Sequence, residues 1–105
     1  MKIVIAHMGW PYYDHALYML FTYENLYLDT GIVNWILGKE LFNRMLKEAV
    51  ESVGSDRILF GTDQMVWPQM ITPAVESIRD APFLSDQDKR NILGENARRL
   101  LKIRN

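Results

Sequence analysis

Cysteine is absent from the sequence, and its absence excludes disulfides, thiolate nucleophiles, Cys-ligated zinc and iron–sulfur clusters. Net charge is also small, because 12 basic and 13 acidic residues give −1. No overall electric field therefore draws the chain to nucleic acid or to an anionic membrane. We expect its partners to be recognised by local features instead.

Long apolar runs are missing as well. The longest extends from Ala16 to Phe21 and is far shorter than the roughly 20 residues of a membrane-spanning helix. A lysine precedes the first apolar residues, but that run stops at His7, too early for a secretory signal. These observations predict a cytoplasmic protein that binds neither membranes nor nucleic acid.

Several familiar functional motifs are also absent. The sequence has no Gly-x-x-x-x-Gly-Lys-Ser/Thr loop, no Gly-x-Gly-x-x-Gly, no Gly-x-Ser-x-Gly and no His-Glu-x-x-His, so nucleotide binding and serine hydrolysis have little support. The composition is that of an ordinary globular domain, with 49% apolar and 24% charged residues among 105. We expect one domain over residues 1–105.

Three short apolar segments have the composition of β-strands. Ile3–Ala6 is a continuous β-branched run, which predicts a strand buried on both faces. Leu26–Leu28, followed by Asp29 and Thr30, predicts a second strand, and Arg57–Phe60 predicts a third. Because helical patterns separate the three strands, the fold class is α/β with parallel strands joined by right-handed crossovers.

The remaining segments have helical spacing. We predict helices over Tyr12–Tyr23, along the apolar stripe that runs from Leu41 to Val53 with Gly54 as its C′ residue, and from an N-cap at Thr72 to about Asp80. Ser85 and Asp88 predict a capping box for a helix that ends near Gly94. A final helix is predicted from about Glu95 to Lys102.

Candidate chemistry lies at the carboxyl ends of the strands, where α/β proteins place their sites. His7 follows the first strand, Asp29 ends the second and Asp63 follows the third. An imidazole and a carboxylate suit metal binding or general acid–base work. The alternative is that His7 and Asp63 only cap loop ends. Asp29 is a substrate-binding candidate, with loop capping as its alternative.

Two tryptophans complete the candidate site. Trp10 and Trp67 each follow a candidate residue and each precede a proline, so they could form the walls of a substrate pocket or anchor the loops. All five tyrosines lie within the first 27 residues. Without accompanying positive charge, base stacking has little support, and we expect these rings to pack in the core or in an interface between subunits.

Four segments together resemble a known family. They are His7-Met8-Gly9, Asn25–Thr30, the strand and Gly-Thr-Asp turn of Arg57–Asp63, and the Gly-Glu-Asn-Ala-Arg-Arg-Leu-Leu segment within Ile92–Leu101. In this order they resemble the C-terminal part of the amidohydrolase-related (amidohydrolase 2 type) metal-dependent hydrolases, which include the aminocarboxymuconate semialdehyde decarboxylase-like enzymes. The resemblance covers nearly the whole chain.

The resemblance implies a partial (β/α)8 TIM barrel, with strands six to eight and the closing helices. It implies that Asp63 binds a divalent metal, most simply zinc, and accepts a proton from the attacking water. It also implies that His7 polarises the substrate or moves a proton. The expected function is metal-dependent hydrolysis, or the related decarboxylation, of a small carboxylate-bearing or ring substrate.

The family's remaining metal ligands have no counterpart, because His7 and His15 are the only histidines. A complete barrel also takes about 200 residues or more. We therefore expect unpaired strand edges. Another copy could cover them in a homo-oligomer, a second chain could supply the rest of the barrel, or the fragment could rearrange into a small two-layer α/β unit. We favour the homo-oligomer. The alternative function is a non-catalytic oligomeric fragment that only binds a ligand or has a structural role.

Overall fold

A computed structural model describes residues 1–104. Three strands alternate with helices along the chain. The elements are β1 (Ile3–Ile5), α1 (Tyr13–Thr22), β2 (Leu26–Asp29), α2 (Val33–Ile36), α3 (Lys39–Val53), β3 (Ile58–Leu59), α4 (Ile71–Arg79), α5 (Asp86–Arg90) and α6 (Asn96–Leu101). Within residues 1–104, none of the helices has the length and hydropathy needed to cross a bilayer.

The strands form one parallel sheet in the order β1-β2-β3. Ile3 lies beside Leu26, and Leu28 lies beside both Ile5 and Ile58. The predicted parallel α/β arrangement is confirmed. β1 and β3 are shorter than the apolar runs that predicted them, because the strands end before Ala6 and Phe60, whereas β2 extends one residue further, to Asp29.

The prediction that the first strand is buried on both faces is wrong. Ile3 is 39% exposed and Val4 is 44% exposed, although Ile5 packs against the core. The physical reason is what packs against the strand: β1 contacts mainly β2, whereas β3, the other edge strand, is also covered by the turn at Asn91–Glu95 and by α6. β-branched composition therefore identified a strand but not its surroundings.

The core lies between the sheet and the helices. In α3, Phe42, Met45, Leu46 and Ala49 are buried, and they belong to the stripe predicted from the 3.6-residue period. The other fully buried apolar side chains come from the turn after β1, from β2 and β3, and from the helical segments before and after them: Met8, Leu20, Leu28, Val33, Ile58, Ala74, Ile78 and Ile92.

Two predicted helix boundaries are wrong. Thr72 is not an N-cap, because a 3-10 turn at Pro68–Met70 leads directly into α4 at Ile71. Gly94 does not end a helix, because a π-helical turn at Asn91–Glu95 joins α5 to α6. Both errors arise where an α-helix is continuous with a helical turn of another type, a 3-10 turn before α4 and a π-helical turn after α5. The short helix α2 was not predicted at all.

The capping box at Ser85 is confirmed. The Asp88 N–H donates to Ser85 Oγ at 3.0 Å, and the Ser85 N–H donates to Asp88 Oδ2 at 3.1 Å. Burial alone would raise the pKa of Asp88, but hydrogen bonds from the Ser55 hydroxyl and from Ser85 lower it. This carboxylate therefore joins α5 to the loop before β3.

Asn96 fixes the entry to β3 from inside the protein. Its side chain is fully buried, and Nδ2 donates to Ser55 O at 2.6 Å and to Ile58 O at 2.8 Å. Where the chain enters a strand, its carbonyl groups cannot all find donors within the sheet, and a buried carbonyl without a donor is costly. The closing helical segment therefore holds the last strand in place.

We expect Asn96→Ala to lower the free energy of unfolding by about 2–4 kcal/mol, because it removes the donor to the Ile58 carbonyl and one of the two donors to the Ser55 carbonyl. Asn25→Ala is the matched control. Asn25 Nδ2 makes a single hydrogen bond, to Met1 O, so this change should cost less than about 1.5 kcal/mol. Urea denaturation of both variants measures the difference, and equal losses would contradict this role for Asn96.

Tyr13 joins α1 to α3 by a buried hydrogen bond. Its hydroxyl donates to Met45 O at 2.5 Å. Burial raises the pKa of the Tyr13 phenol well above its ordinary value, and the nearby carboxylates of Glu48 and Asp14 raise it further. The folded state therefore holds this proton more tightly than the unfolded state does.

This difference predicts alkaline destabilisation. Above about pH 10, the ordinary pKa of tyrosine, the unfolded chain ionises at Tyr13 before the folded chain does, so stability falls as pH rises. We expect Tyr13→Phe to be less stable than wild type at pH 8 and to show a shallower loss between pH 9 and 11. Tyr18→Phe, at an exposed position, should retain the wild-type slope in denaturant titrations.

Candidate functional site

A left-handed turn places His7 at the carboxyl end of β1. His7, Met8 and Gly9 have φ values of 58°, 54° and 75°, and the Trp10 N–H donates to His7 O at 2.9 Å. Non-glycine residues rarely adopt this region. The fully buried side chain of Met8 anchors the turn in the core, and the imidazole of His7 stays at the surface.

Asp63 lies at the carboxyl end of β3 and also has a left-handed backbone, with φ of 55°. Two hydrogen bonds to the preceding carbonyl hold its turn. Trp35 Nε1 donates to Thr62 O at 2.6 Å, and the Ile32 N–H donates to the same oxygen at 3.2 Å. The position of Asp63 is thus set by residues that follow β2.

The structure brings His7 and Asp63 together, as their strand positions predicted. His7 Nε2 lies 3.1 Å from Asp63 Oδ2, which allows the imidazole N–H to donate to the carboxylate. Their side chains are 38% and 42% exposed, and ion pairs this exposed contribute at most about 1 kcal/mol. The two backbones, rather than this contact, therefore hold the pair in position.

A buried polar network joins the ends of β2 and β3. The Thr30 N–H donates to Leu59 O at 2.9 Å, and the Gly61 N–H donates to Thr30 Oγ1 at 3.3 Å. Asn34 Nδ2 donates to Gly61 O at 2.8 Å and to Thr30 Oγ1 at 3.2 Å. Thr30 and Asn34 are buried, so these bonds are shielded from water.

Asp29 occupies the same rim, but the structure gives its carboxylate a local role. The Gly31 N–H donates to Asp29 Oδ1 at 2.5 Å, which forms an Asx turn. A Cβ at Gly61 would lie 2.9 Å from Asp29 Oδ2, so only glycine fits there without a shift. These contacts favour the loop-capping alternative, and substrate binding by Asp29 stays a prediction.

The two candidate tryptophans have different surroundings. Trp67 packs edge-on against Trp35, with ring centroids 6.1 Å apart, in the loop that follows Asp63. Trp10 lines a cavity with residues of α1 and α3, among them Asp14 and Arg44. Both rings are about half exposed. Their role as walls of one substrate pocket stays a prediction.

Four further residues support the site although no sequence pattern predicted this role for them: Thr30, Asn34, Trp35 and Gln64. Gln64 Oε1 accepts from the Trp67 N–H at 3.2 Å, which folds the loop after Asp63 back on itself. The signal that could have found Thr30 and Asn34 is their i, i+4 spacing directly after a strand, which places two short polar side chains on one side of a helical turn.

The donor set suits only part of a metal site. Asp63 offers a carboxylate oxygen and His7 an imidazole nitrogen, both common zinc ligands. Among residues 1–104, however, no three His, Asp or Glu side chains cluster closely enough to hold an ion. Any metal held by Asp63 therefore needs ligands beyond these residues.

Comparisons with known proteins point to one family. A family model described as Amidohydrolase matches residues 1–103. Protein fluG of Emericella nidulans is 35% identical over 78 residues, which make up 74% of this chain and 9% of fluG. The chain thus spans less than a tenth of that relative's length.

Solved decarboxylases share the fold. The 2,6-dihydroxybenzoate decarboxylase from Rhizobium superposes with a TM-score of 0.69 and 23% identity, covering 97% of this chain and 35% of that enzyme. A dihydroxybenzoic acid decarboxylase from Polaromonas sp. JS666 was solved with bound manganese and 2-nitroresorcinol. It superposes with a TM-score of 0.66 and 26% identity, covering 97% of this chain and 34% of that enzyme. The chain therefore spans about a third of each of these enzymes.

We expect Thr30→Val to lower the free energy of unfolding by about 1–3 kcal/mol, because the buried groups of Asn34 and Gly61 lose their shared partner. Thr22→Val is the matched control. The Thr22 hydroxyl also bonds a backbone oxygen, that of Tyr18, but it is exposed, so its loss should cost less than about 1 kcal/mol. Chemical denaturation measures both, and a neutral Thr30→Val would contradict the importance of this network.

Proposed function

The chain belongs to the amidohydrolase family, and on that premise we propose that it forms part of a metal-dependent hydrolase or decarboxylase. In this proposal β1, β2 and β3 correspond to strands six to eight of a (β/α)8 barrel. The observation that carries it is the 3.1 Å contact between His7 Nε2 and Asp63 Oδ2. That contact puts the family's two motif residues at one rim.

A small carboxylate-bearing ring is the substrate class with most support. Two of the solved relatives are decarboxylases of dihydroxybenzoates. A third is 5-carboxyvanillate decarboxylase LigW from Sphingomonas paucimobilis, which is 24% identical with a TM-score of 0.67, over 98% of this chain and 34% of that enzyme. Hydrolysis remains the wider family activity. Trp10, Trp67 and Asp29 are the proposed substrate-binding residues.

Asp63 is the proposed metal ligand within this chain. Manganese in the Polaromonas enzyme supports a divalent ion, with zinc as the sequence-based expectation. Such an ion, when bound, polarises an oxygen or activates a water. Asp63 Oδ2 accepts a hydrogen bond from His7 Nε2–H in the geometry observed, which leaves Asp63 Oδ1 as the oxygen that would bind the metal.

His7 is the proposed proton carrier. With Nε2–H directed to Asp63, the neutral imidazole keeps Nδ1 as its acceptor atom. A histidine imidazole has one nitrogen that can accept a proton and one that can donate it, which suits it to proton transfer. His7 can therefore take up a proton at Nδ1 and later return it to a substrate atom, with Asp63 holding the ring in orientation.

The remaining ligands and strands must come from further sequence, in the same polypeptide or in another chain. The exposed edge of β1 supports such an addition, because edge strands with apolar side chains pair readily. A homo-oligomer, or a complementing chain, in the cytoplasm belongs to the same proposal. The incomplete donor set among residues 1–104 supports the second candidate, a non-catalytic oligomeric fragment.

Metal analysis of the purified assembly, loaded separately with Mn²⁺ and Zn²⁺ and then desalted, tests the proposal. We expect about one ion per site and release of CO2 from 2,6-dihydroxybenzoate. Asp63→Asn should lose the metal and the activity, because an amide is a poor ligand for these ions. Glu51→Gln is the control, since Glu51 is exposed and lies 4.0 Å from its partner Lys47.

Full metal content in Asp63→Asn would remove Asp63 as a ligand. Failure of the wild type to take up metal would favour the non-catalytic fragment, and light scattering would then report whether it is an oligomer. Metal uptake without decarboxylation would support the proposed metal site but contradict dihydroxybenzoates as the class of substrate.

A further inference from the structure

The two edges of the sheet differ in whether their backbone groups have partners. In β3, the carbonyls of Arg57 and Leu59 accept hydrogen bonds from β2. Because the backbone groups of a strand point alternately to its two sides, those of Ile58 and Phe60 face away from β2. The backbone groups of Ile58 and Phe60 therefore form the outer edge of β3.

The chain's own C-terminal segment occupies this outer edge. Ile58 O accepts from Asn96 Nδ2 at 2.8 Å, and the Ile58 N–H donates to Ser55 O at 3.3 Å. The Phe60 N–H donates to Ile92 O at 3.1 Å. A further strand cannot pair with these groups without breaking the bonds. The expectation of an unpaired edge is therefore wrong for β3.

A π-helical turn makes the contact with Phe60 possible. The Asn96 N–H donates to Asn91 O, five residues earlier. In an α-helix the same N–H would donate to Ile92 O, four residues earlier. The π-helical turn thus leaves the Ile92 carbonyl available to the end of β3.

The edge of β1 is open by the same criterion. The Ile3 N–H donates to Asn25 O at 3.0 Å, so the backbone groups of Ile3 face β2 and those of Val4 face away. In the part of the chain that the structure describes, no strand lies beyond β1. A charged side chain often protects such an edge. Here, however, Lys2 extends over the Tyr27 ring of β2, with Nζ 5.8 Å from the ring centroid.

An exposed stripe of side chains lies on the side of α1 that faces this open edge. Asp14 lines a cavity together with residues of α3, so Asp14 marks the α3 side of α1. On the other side, Tyr12, His15 and Met19 follow one another at intervals of three and four residues, as neighbours on a helix do. Tyr12 is 71% exposed and Met19 is 43% exposed. The stripe of Tyr12, His15 and Met19 therefore borders the edge of β1.

We propose that two copies of this chain pair through their β1 edges, antiparallel about a two-fold axis, with the two Val4 residues opposite each other and the stripes of α1 alongside. Two copies cannot join β1 to β3, because the β3 edge is occupied. The contact is therefore isologous and ends at a dimer instead of growing into a fibre. In this register Lys2 lies opposite Ala6, so like charges do not meet.

The size of this contact predicts a reversible dimer. The exposed side-chain area of Ile3, Val4, Tyr12 and Met19 is on the order of 400 Å² per chain, about half of what each partner buries in a standard interface. Interfaces at this end of the range dissociate readily. The contact rests on the homo-oligomer of the proposed function and specifies which surface forms it.

Cysteine crosslinking tests the contact, because the chain has no cysteine of its own. In the antiparallel pair the two Val4 Cα atoms lie about 5.5 Å apart, within the range that a disulfide spans. In a glutathione redox buffer, we expect Val4→Cys to form at least about tenfold more covalent dimer than Ile71→Cys. Ile71 has the same exposure as Val4, 44%, but lies on α4.

Sedimentation velocity measures the contact without a crosslink. We expect wild type to be largely dimeric at about 100 µM, above the micromolar Kd of a small interface. Val4→Pro removes the outward N–H without touching the bonds to β2, and it should raise the dimer Kd at least about tenfold. Val4→Ala keeps that N–H and should remain mostly dimeric.

A pair of charge variants tests the side of α1. Met19→Lys places two positive charges in the contact and should weaken the dimer. Phe21→Lys should not, although Phe21 is 70% exposed, because Phe21 lies seven residues after Asp14 and so on the α3 side.

A monomeric wild type at about 100 µM, or equal crosslinking of Val4→Cys and Ile71→Cys, would overturn the proposal. A dimer that survives both Val4→Pro and Met19→Lys would overturn the β1 contact but leave the homo-oligomer of the proposed function in place. These measurements use neither metal nor substrate. Loss of the proposed metal site at Asp63 would therefore leave the β1 contact standing.

Discussion

The buried contact between Thr30, Asn34 and the backbone of Gly61 is the constraint on which the site depends. At the carboxyl ends of β2 and β3 the chain leaves the sheet, so N–H and C=O groups lose their strand partners inside the protein. The side chains of Thr30 and Asn34 provide new partners for the N–H and C=O of Gly61. The Trp35 indole N–H provides one for the Thr62 carbonyl. The turn that carries Asp63 is fixed as a result.

Conformational strain is concentrated at the same rim. His7, Met8, Ile32 and Asp63 all have positive φ, and each such residue costs on the order of 1 kcal/mol or more. The exposed contact between His7 and Asp63 is too weak to hold these backbones in that conformation. The cost is offset by packing of Met8 and by the hydrogen bonds of Thr62, so the scaffold orients the pair before any ligand arrives. Such preorganisation is what proton transfer requires.

Periodic and local features were predictable from the sequence, while features set by distant partners were not. The α3 stripe and the Ser85 capping box depend on residues three or four positions apart, and both are confirmed. The burial of β1, the start of α4 and the support from Thr30 and Asn34 depend on what packs against them. His7 and Asp63 fall between these cases, since parallel strands require their carboxyl ends to share an edge.

Covering the rim would change the electrostatics of the pair as well as completing its ligands. At 3.1 Å the attraction between unlike charges rises as the surrounding dielectric falls, while salt and water weaken it at an exposed surface. Further strands laid against β1 and over the rim would exclude water from His7 and Asp63. The hydrogen bond between the imidazole and the carboxylate would then lie in surroundings of lower dielectric, where such a bond is electrostatically stronger. In the proposed barrel, the closure that would supply the missing ligands would therefore also strengthen the hydrogen bond between His7 and Asp63.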